Sequence, residues 1–354
     1  MQRRDFLALL AAAGAGVAQA AARFELAAAW RADRGDQVGV LARSRDGLRV
    51  TAAIDVPTRA HGLLVEREGT LLAVARRPGD WLLRWHADGR AQAWAWIEPD
   101  RAFNGHVIAS PGGGTLYTTE TRLDTGMGLV GVRDAKTLAK RAEWPTHGMD
   151  PHELVLDTDG TLLVANGGIP TQPETGRQKL ALDRIDPSLV RLSAREGALL
   201  GQWRLEDPRL SIRHLAWNGR LLGIALQAEH DDPVAKSNAP VLAVFDGQAL
   251  HSVERGSWGA GTCDLAGYGG DIAAGGGLFV VSCPRAQGVA MWHADGRWAH
   301  FVQLDEACAL ARTQGALWAG GRSQALGLQA SGEPLLLPLP GLRLDNHWVP
   351  LPSA

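Results

Sequence analysis

Five of the eleven histidines stand at equivalent places in the chain. His61, His106, His152, His214 and His347 each open a short apolar run, as in His61-Gly-Leu-Leu-Val, His106-Val-Ile-Ala and His152-Glu-Leu-Val-Leu. Two further runs of the same kind follow Asp271 and Cys308. Imidazole, thiolate and carboxylate together are the ligand set of Zn, Cu or Fe rather than of Mg or Ca. Brought together from separate elements, the seven side chains would hold one ion and leave positions open for another ligand. Glu120, and Glu153 beside His152, are candidate outer ligands or general bases.

The elements that must position these residues are read from a repeat. The seven openers recur at intervals of 37 to 62 residues, the spacing of a four-stranded propeller blade. A second series lies between them. Trp85-His86-Ala87-Asp88-Gly89 returns letter for letter as Trp292-His293-Ala294-Asp295-Gly296, and five looser copies place a Gly- or Asp-containing turn between two apolar strands. Helical periodicity is nearly absent after residue 22, and turn residues punctuate the chain every 8 to 12 positions. The first copy, Phe24 to Val56, has three strands and no inner one, whereas the last, His347 to Leu351, has only the inner one. Joined, they complete a blade and remove the free sheet edges. The expected fold is therefore all-β: one seven-bladed propeller domain over residues 21–354, of WD40 or YVTN type, with the N-terminal strands pairing with the C-terminal strand.

Strand direction alternates within a blade, so the start of each inner strand and the loop between second and third strands lie at one face. The openers should ring the mouth of the central channel. Three long loops are expected above them, Thr119 to Gly128, Asn166 to Pro187 and Gln227 to Pro240, the middle one a partial lid carrying Arg177, Lys179, Asp183 and Arg184. His86 and His293 fall on the opposite face. Most of the 13 Trp sit inside strand runs and are assigned to packing between blades.

Three readings of the ring stand side by side: a metal or ligand site, structural histidines that tie neighbouring strands, and a polar channel lining. Ala-His61-Gly and Asn-Gly-His106 fit the structural use. There is no nucleophile elbow, phosphate loop, Cys-x-x-Cys or His-Glu-x-x-His. Val164-Ala165-Asn166-Gly167-Gly168 follows a strand without entering a helix, so it reads as a turn that brings backbone close to the channel mouth rather than as a dinucleotide fingerprint.

Residues 1–20 read as an address. Gln2-Arg3-Arg4-Asp5-Phe6-Leu7 has the twin-arginine pattern, followed by a weakly apolar run and a small-residue cleavage site at Ala18-Gln19-Ala20. The mature protein is expected in the periplasm, with no membrane insertion after cleavage. Thirty-six basic against 38 acidic residues leave a net charge of −2, which gives no field to hold nucleic acid or an anionic membrane. A monomer is the default. Of three cysteines, Cys263 and Cys283 are the candidate disulfide, leaving Cys308 free; three buried thiols are the alternative.

The block His147-Gly-Met-Asp-Pro-His152-Glu-Leu, with Val164-Ala-Asn-Gly-Gly-Ile, Arg177, Lys179, Pro187-Ser-Leu and Ser211-Ile-Arg-His214-Leu, resembles the bacterial family called domain of unknown function 1513. The resemblance spans roughly residues 59 to 350. It implies an exported propeller encoded beside imelysin-type and other periplasmic iron-uptake proteins, hence a part in iron or metal acquisition with such proteins as partners. The matching positions here are His106, His152, Glu153, Asn166, Arg177, Arg213, His214 and Cys308. Where this chain has Asp271, the family pattern carries a small hydroxyl residue. Three functions follow as expectations: a non-enzymatic binder of an Fe, Cu or Zn ion or metal complex, a metal-dependent hydrolase or oxidoreductase using Glu120 or Glu153 as base, and a protein-interaction scaffold.

Overall fold

The structure, a computed structural model, describes residues 24–352 apart from 171–181, 255–256, 259–260, 263, 314–315, 330–333 and 340. The leader, Arg177 and Cys263 lie outside the described residues. Seven four-stranded antiparallel blades are arranged in a ring. Six inner strands, Ala60–Val65, Arg101–Ala109, Pro151–Leu156, Leu210–Trp217, Ile272–Gly275 and Leu310–Arg312, each begin one blade. The seventh blade is composite. Glu25–Ala32, Gly35–Ser44 and Gly47–Val56 supply three strands, and Arg343–Leu344 with Val349–Pro350 supply the inner one. Ring closure thus follows the expected pairing of the two ends.

The two identical pentapeptides fold identically. In each, the His N–H bonds across the turn (His86 to Arg90, His293 to Arg297) and the Gly N–H bonds back to the His carbonyl. Gly89 and Gly296 make this possible at φ of 89° and 86°, a region unfavourable for side-chain-bearing residues.

Apolar burial is organised between blades rather than within them. Each sheet presents large residues on both faces, and seven core clusters each join two successive blades. One holds Leu163 and Leu189 against Ile212 and Phe245, and the cluster at the closure holds Leu26 and Trp30 against Trp318 and Trp348. Trp81, Trp85, Trp292 and Trp318 are fully buried in these seams, as expected, whereas Trp94 and Trp96 lie exposed on an outer strand.

Two of the expected long loops are otherwise built. The segment 119–128 is mostly strand, because Thr115–Arg122 and Met127–Asp134 continue to a short turn. The segment 227–240 contains a short helix, Pro233–Asn238, started by the Asp232 side chain accepting from the Val234 N–H.

Candidate metal centre

The histidines do not open their strands; they interrupt them. In the first four blades the register slips at the histidine: between Ala60 and Leu63, Phe103 and Val107, Pro151 and Leu154, and Ile212 and Leu215. The composite blade breaks its inner strand over 345–348, with His347 at φ 72°. A bulge leaves residues unpaired in the ladder and re-aims a side chain that regular alternation would send into a blade seam. Glycine lets adjacent bulges approach. A Cβ at Gly62 would lie 2.3 Å from the Gly105 carbonyl, and one at Gly105 would lie 2.7 Å from the His61 ring.

The five rings converge. Nine of the ten pairs have centroids between 4.5 and 5.7 Å apart. The Nε2 atoms of His152 and His214 are 2.9 Å apart, those of His347 and His214 3.1 Å, and those of His61 and His152 3.5 Å. His61, His106, His214 and His347 each offer one ligand atom within 4.8 Å of the others. A metal–nitrogen bond of about 2.0–2.1 Å sets neighbouring donors about 2.9 Å apart in octahedral and about 3.3 Å apart in tetrahedral geometry. The three closest separations span both values, while the set of His61, His106, His214 and His347, reaching up to 4.8 Å, is wider than either.

Electrostatics favours the ligand form of four rings. Burial, with the neighbouring imidazoles, holds His61, His106, His152 and His214 well below the ordinary histidine value, so their nitrogens keep lone pairs at neutral pH. His347 differs. Burial alone would lower it, but Asp271 beside its ring raises it above the ordinary value. Asp271 Oδ1 lies 3.3 Å from His347 Nδ1, which leaves Nε2 to face the cluster. Glu153 Oε1 stands 3.7 Å from His106 Nδ1, while His106 Nε2 is buried without a hydrogen-bond partner. A carboxylate behind the far nitrogen, as Asp271 stands behind His347, is the usual means of orienting a metal-ligating imidazole.

The other expected site residues take other places. Asp271 accepts from the Ile272 and Leu310 N–H groups, so its two oxygens are engaged in joining successive blades and in holding His347. The Cys308 thiol donates to Asn346 Oδ1 at 2.7 Å, and burial pushes it up to about 12. Glu153 accepts from the Leu215 N–H, and burial raises it to about 8. Glu120 is fully buried with Arg133 and Lys140, each 2.7 Å away, its oxygens engaged within its own blade and not by the histidines. Asn166 donates to the Thr146 carbonyl and Ser188 Oγ, a strand-tying role. Cys283 is buried at the end of its strand, and its proposed pairing falls on a residue outside those described.

Arg213 does reach the site, in company the sequence did not single out. With Arg76, Arg77, Asn104, Gln227, Tyr268 and Asn346 it lines a cavity of about 30 Å³ against His61, His152 and His214. Asp150 binds Arg77 and Arg213, and Asp345 binds Arg59 and Arg76. The only available signals were the Arg76-Arg77 pair at a strand end and Asp150 two residues before His152.

Residues 54–351 match the profile of the family described as "Protein of unknown function (DUF1513)". The chain belongs to that family. No curated protein matches it. Among solved structures it is similar to a putative 6-phosphogluconolactonase from Bacteroides fragilis, at 12% identity and TM-score 0.63, over 95% of this chain and 100% of that one. It is also similar to the hydrazine synthase of Kuenenia stuttgartiensis, at 13% identity and TM-score 0.61, over 85% and 90% of the two chains. A functionally unknown protein from Desulfotomaculum acetoxidans gives 13% identity and TM-score 0.53, over 82% and 89%. At these identities the likeness is one of fold alone.

Proposed function

We propose that this DUF1513 member is a metal-binding propeller that takes an Fe, Cu or Zn ion into its histidine cluster and serves metal acquisition, iron included, in the periplasm. The observation that carries this is the approach of four Nε2 atoms through contacts of 2.9 to 3.5 Å in a buried site. Imidazole donors suit these metals, and an all-nitrogen set disfavours Mg and Ca. The compartment rests on the twin-arginine leader, and iron rests on the family resemblance. A binder is favoured over a metal-dependent hydrolase or oxidoreductase because Asp271 is engaged by two backbone amides and His347, and Glu153, raised by burial to about 8, is mostly protonated at neutral pH. A general base needs a carboxylate free to take a proton from bound water.

Elemental analysis of the exported mature protein, beside a His152→Ala, His214→Ala double variant, tests the reading. Stoichiometric metal that vanishes in the variant is the expected result. No metal in either protein, and none taken up from Zn, Cu or Fe(II) solutions, would reduce the cluster to scaffold.

A further inference from the structure

The cavity beside the imidazoles has a lining of one electrostatic kind. Arg76, Arg77 and Arg213 contribute to it along with Gln227 and Tyr268, and among the described residues no Asp or Glu lines it. Asp150 and Asp345 bind these arginines without entering the lining, and Glu229 acts on Arg213 electrostatically. With Arg59 counted, four guanidinium groups face three carboxylates.

Arg213 is the informative member. It is 1% exposed, and its Nη1 donates to Asp150 Oδ2 at 2.8 Å. Its Nε and Nη2 are buried with no hydrogen-bond partner. Those two nitrogens form one edge of the guanidinium plane, the edge that receives a carboxylate through two parallel hydrogen bonds. A buried cationic donor left unmade is costly, and here two lie side by side. The surroundings fix the fork in place. A Cβ at Gly167 would come within 2.8 Å of Arg213 Nη1 and 2.7 Å of Asp150 Oδ2, so glycine leaves the room the ion pair occupies, and Ser211 Oγ holds the Gly167 carbonyl at 2.7 Å.

Size narrows the ligand. A water needs about 10–15 Å³ by this measure. A cavity of about 30 Å³ therefore admits two or three non-hydrogen atoms, the size of a carboxylate group, so an acid larger than formate keeps the rest of its chain outside it.

We propose that the cavity seats the carboxylate group of a small organic acid on the Nε and Nη2 edge of Arg213, next to the imidazole cluster. The site stands on Arg213 and the cavity alone. Only a further contact, a second oxygen of the same acid reaching the metal, rests on the metal-binding reading.

The test is calorimetric titration of the metal-free full-length mature protein with malonate and with malonamide, its neutral analogue, for wild type, Arg213→Lys and the surface control Arg204→Lys. Lysine keeps the charge and loses the two-nitrogen edge. Malonate should bind wild type and the control alike, malonamide should not bind, and Arg213→Lys should weaken malonate by about tenfold or more. Malonate binding no tighter than malonamide, or a folded Arg213→Lys protein that binds like wild type, would overturn the proposal. Should Arg213→Lys not fold, the malonate and malonamide comparison in wild type decides alone. A parallel zinc titration in carboxylate-free buffer separates the two readings: malonate without zinc uptake sinks the metal centre and keeps this site, and zinc without malonate does the reverse.

Discussion

His214 is the hub of the cluster, and its replacement by alanine gives the sharpest quantitative expectation. Its Nε2 lies 2.9 Å from that of His152 and 3.1 Å from that of His347, so it is the donor closest to two others. Zinc binding worth about 10–16 kcal/mol shared over four ligands assigns roughly 3 kcal/mol to each, or about 100-fold in affinity. Take free metal at about 1,000 times the wild-type dissociation constant. The wild type is then stabilised by about 4.1 kcal/mol, and a variant bound 100-fold more weakly by about 1.4 kcal/mol. The 306 described residues at about 2.1 cal/mol/K each make 1 kcal/mol worth about 1.6 °C in melting temperature. The metal-induced rise should accordingly be about 4 °C smaller in His214→Ala than in wild type, read by thermal melting with Zn, Cu and Fe(II) in turn. Each protein is compared with its own metal-free form, so the packing lost with the ring cancels. Equal metal-induced shifts in the two proteins would show that the ion, if bound, is held elsewhere.

Three further outcomes follow from individual residues. Asp271→Asn weakens the acceptor behind His347 Nδ1, so metal affinity should fall by about 10- to 100-fold in competition with a chelator; unchanged affinity would mean that His347 orients itself. Glu120→Gln leaves Arg133 and Lys140 short of a buried countercharge and should cost about 3–5 kcal/mol of stability in denaturant unfolding, without altering metal affinity; a loss of metal would return Glu120 to the site. Hydrogen bonding from Arg101 holds the Glu143 carboxylate down to about 2, below its unfolded value. The folded state therefore binds this proton less readily, and the stability it confers is present above about pH 4.5 and lost as pH falls toward 2. Glu143→Gln should flatten that part of the acid-unfolding curve, and an unaltered curve would show the pair contributes nothing.

What the sequence disclosed followed from periodicity, and what it concealed depended on contacts between blades. The repeated Trp-His-Ala-Asp-Gly turns and the split blade at the ends are local signals, and both appear where expected. The bulges were hidden by their own chemistry. Asn-Gly ahead of His106 is a common turn dipeptide and gives no sign of a bulge, yet Arg101–Ala109 is one strand with Gly105 at φ 107° inside it. Asp271 has the right functional group for a ligand, but the Leu310 amide that occupies one oxygen comes from the next blade, 39 positions on. Arg76 and Arg77 follow directly on a strand end, and only the ring places them beside imidazoles from other blades.

On the proposed metal-binding reading, the same ring accounts for five of seven equivalent positions carrying histidine and two not. A seven-fold channel mouth offers seven side chains to one point, whereas a transition-metal ion takes four to six donors. The histidines come from five consecutive blades, counting through the composite one, and the remaining two blades place Asp271 and Cys308 at the equivalent positions. Neither is idle. Asp271 joins its own inner strand to the next through Leu310 and props His347, and Cys308 donates to Asn346, the neighbour of His347. The two blades without an imidazole thus hold the last histidine, which lies on the short broken strand that closes the ring. This coupling ties ring closure to the donor set: truncation before Asp345 should abolish metal uptake even if the other six blades stay folded, because it removes His347 and the Val349–Pro350 part of the inner strand that closes the seventh blade. Metal uptake surviving in a folded protein truncated there would show that four imidazoles suffice and that His347 belongs to the scaffold.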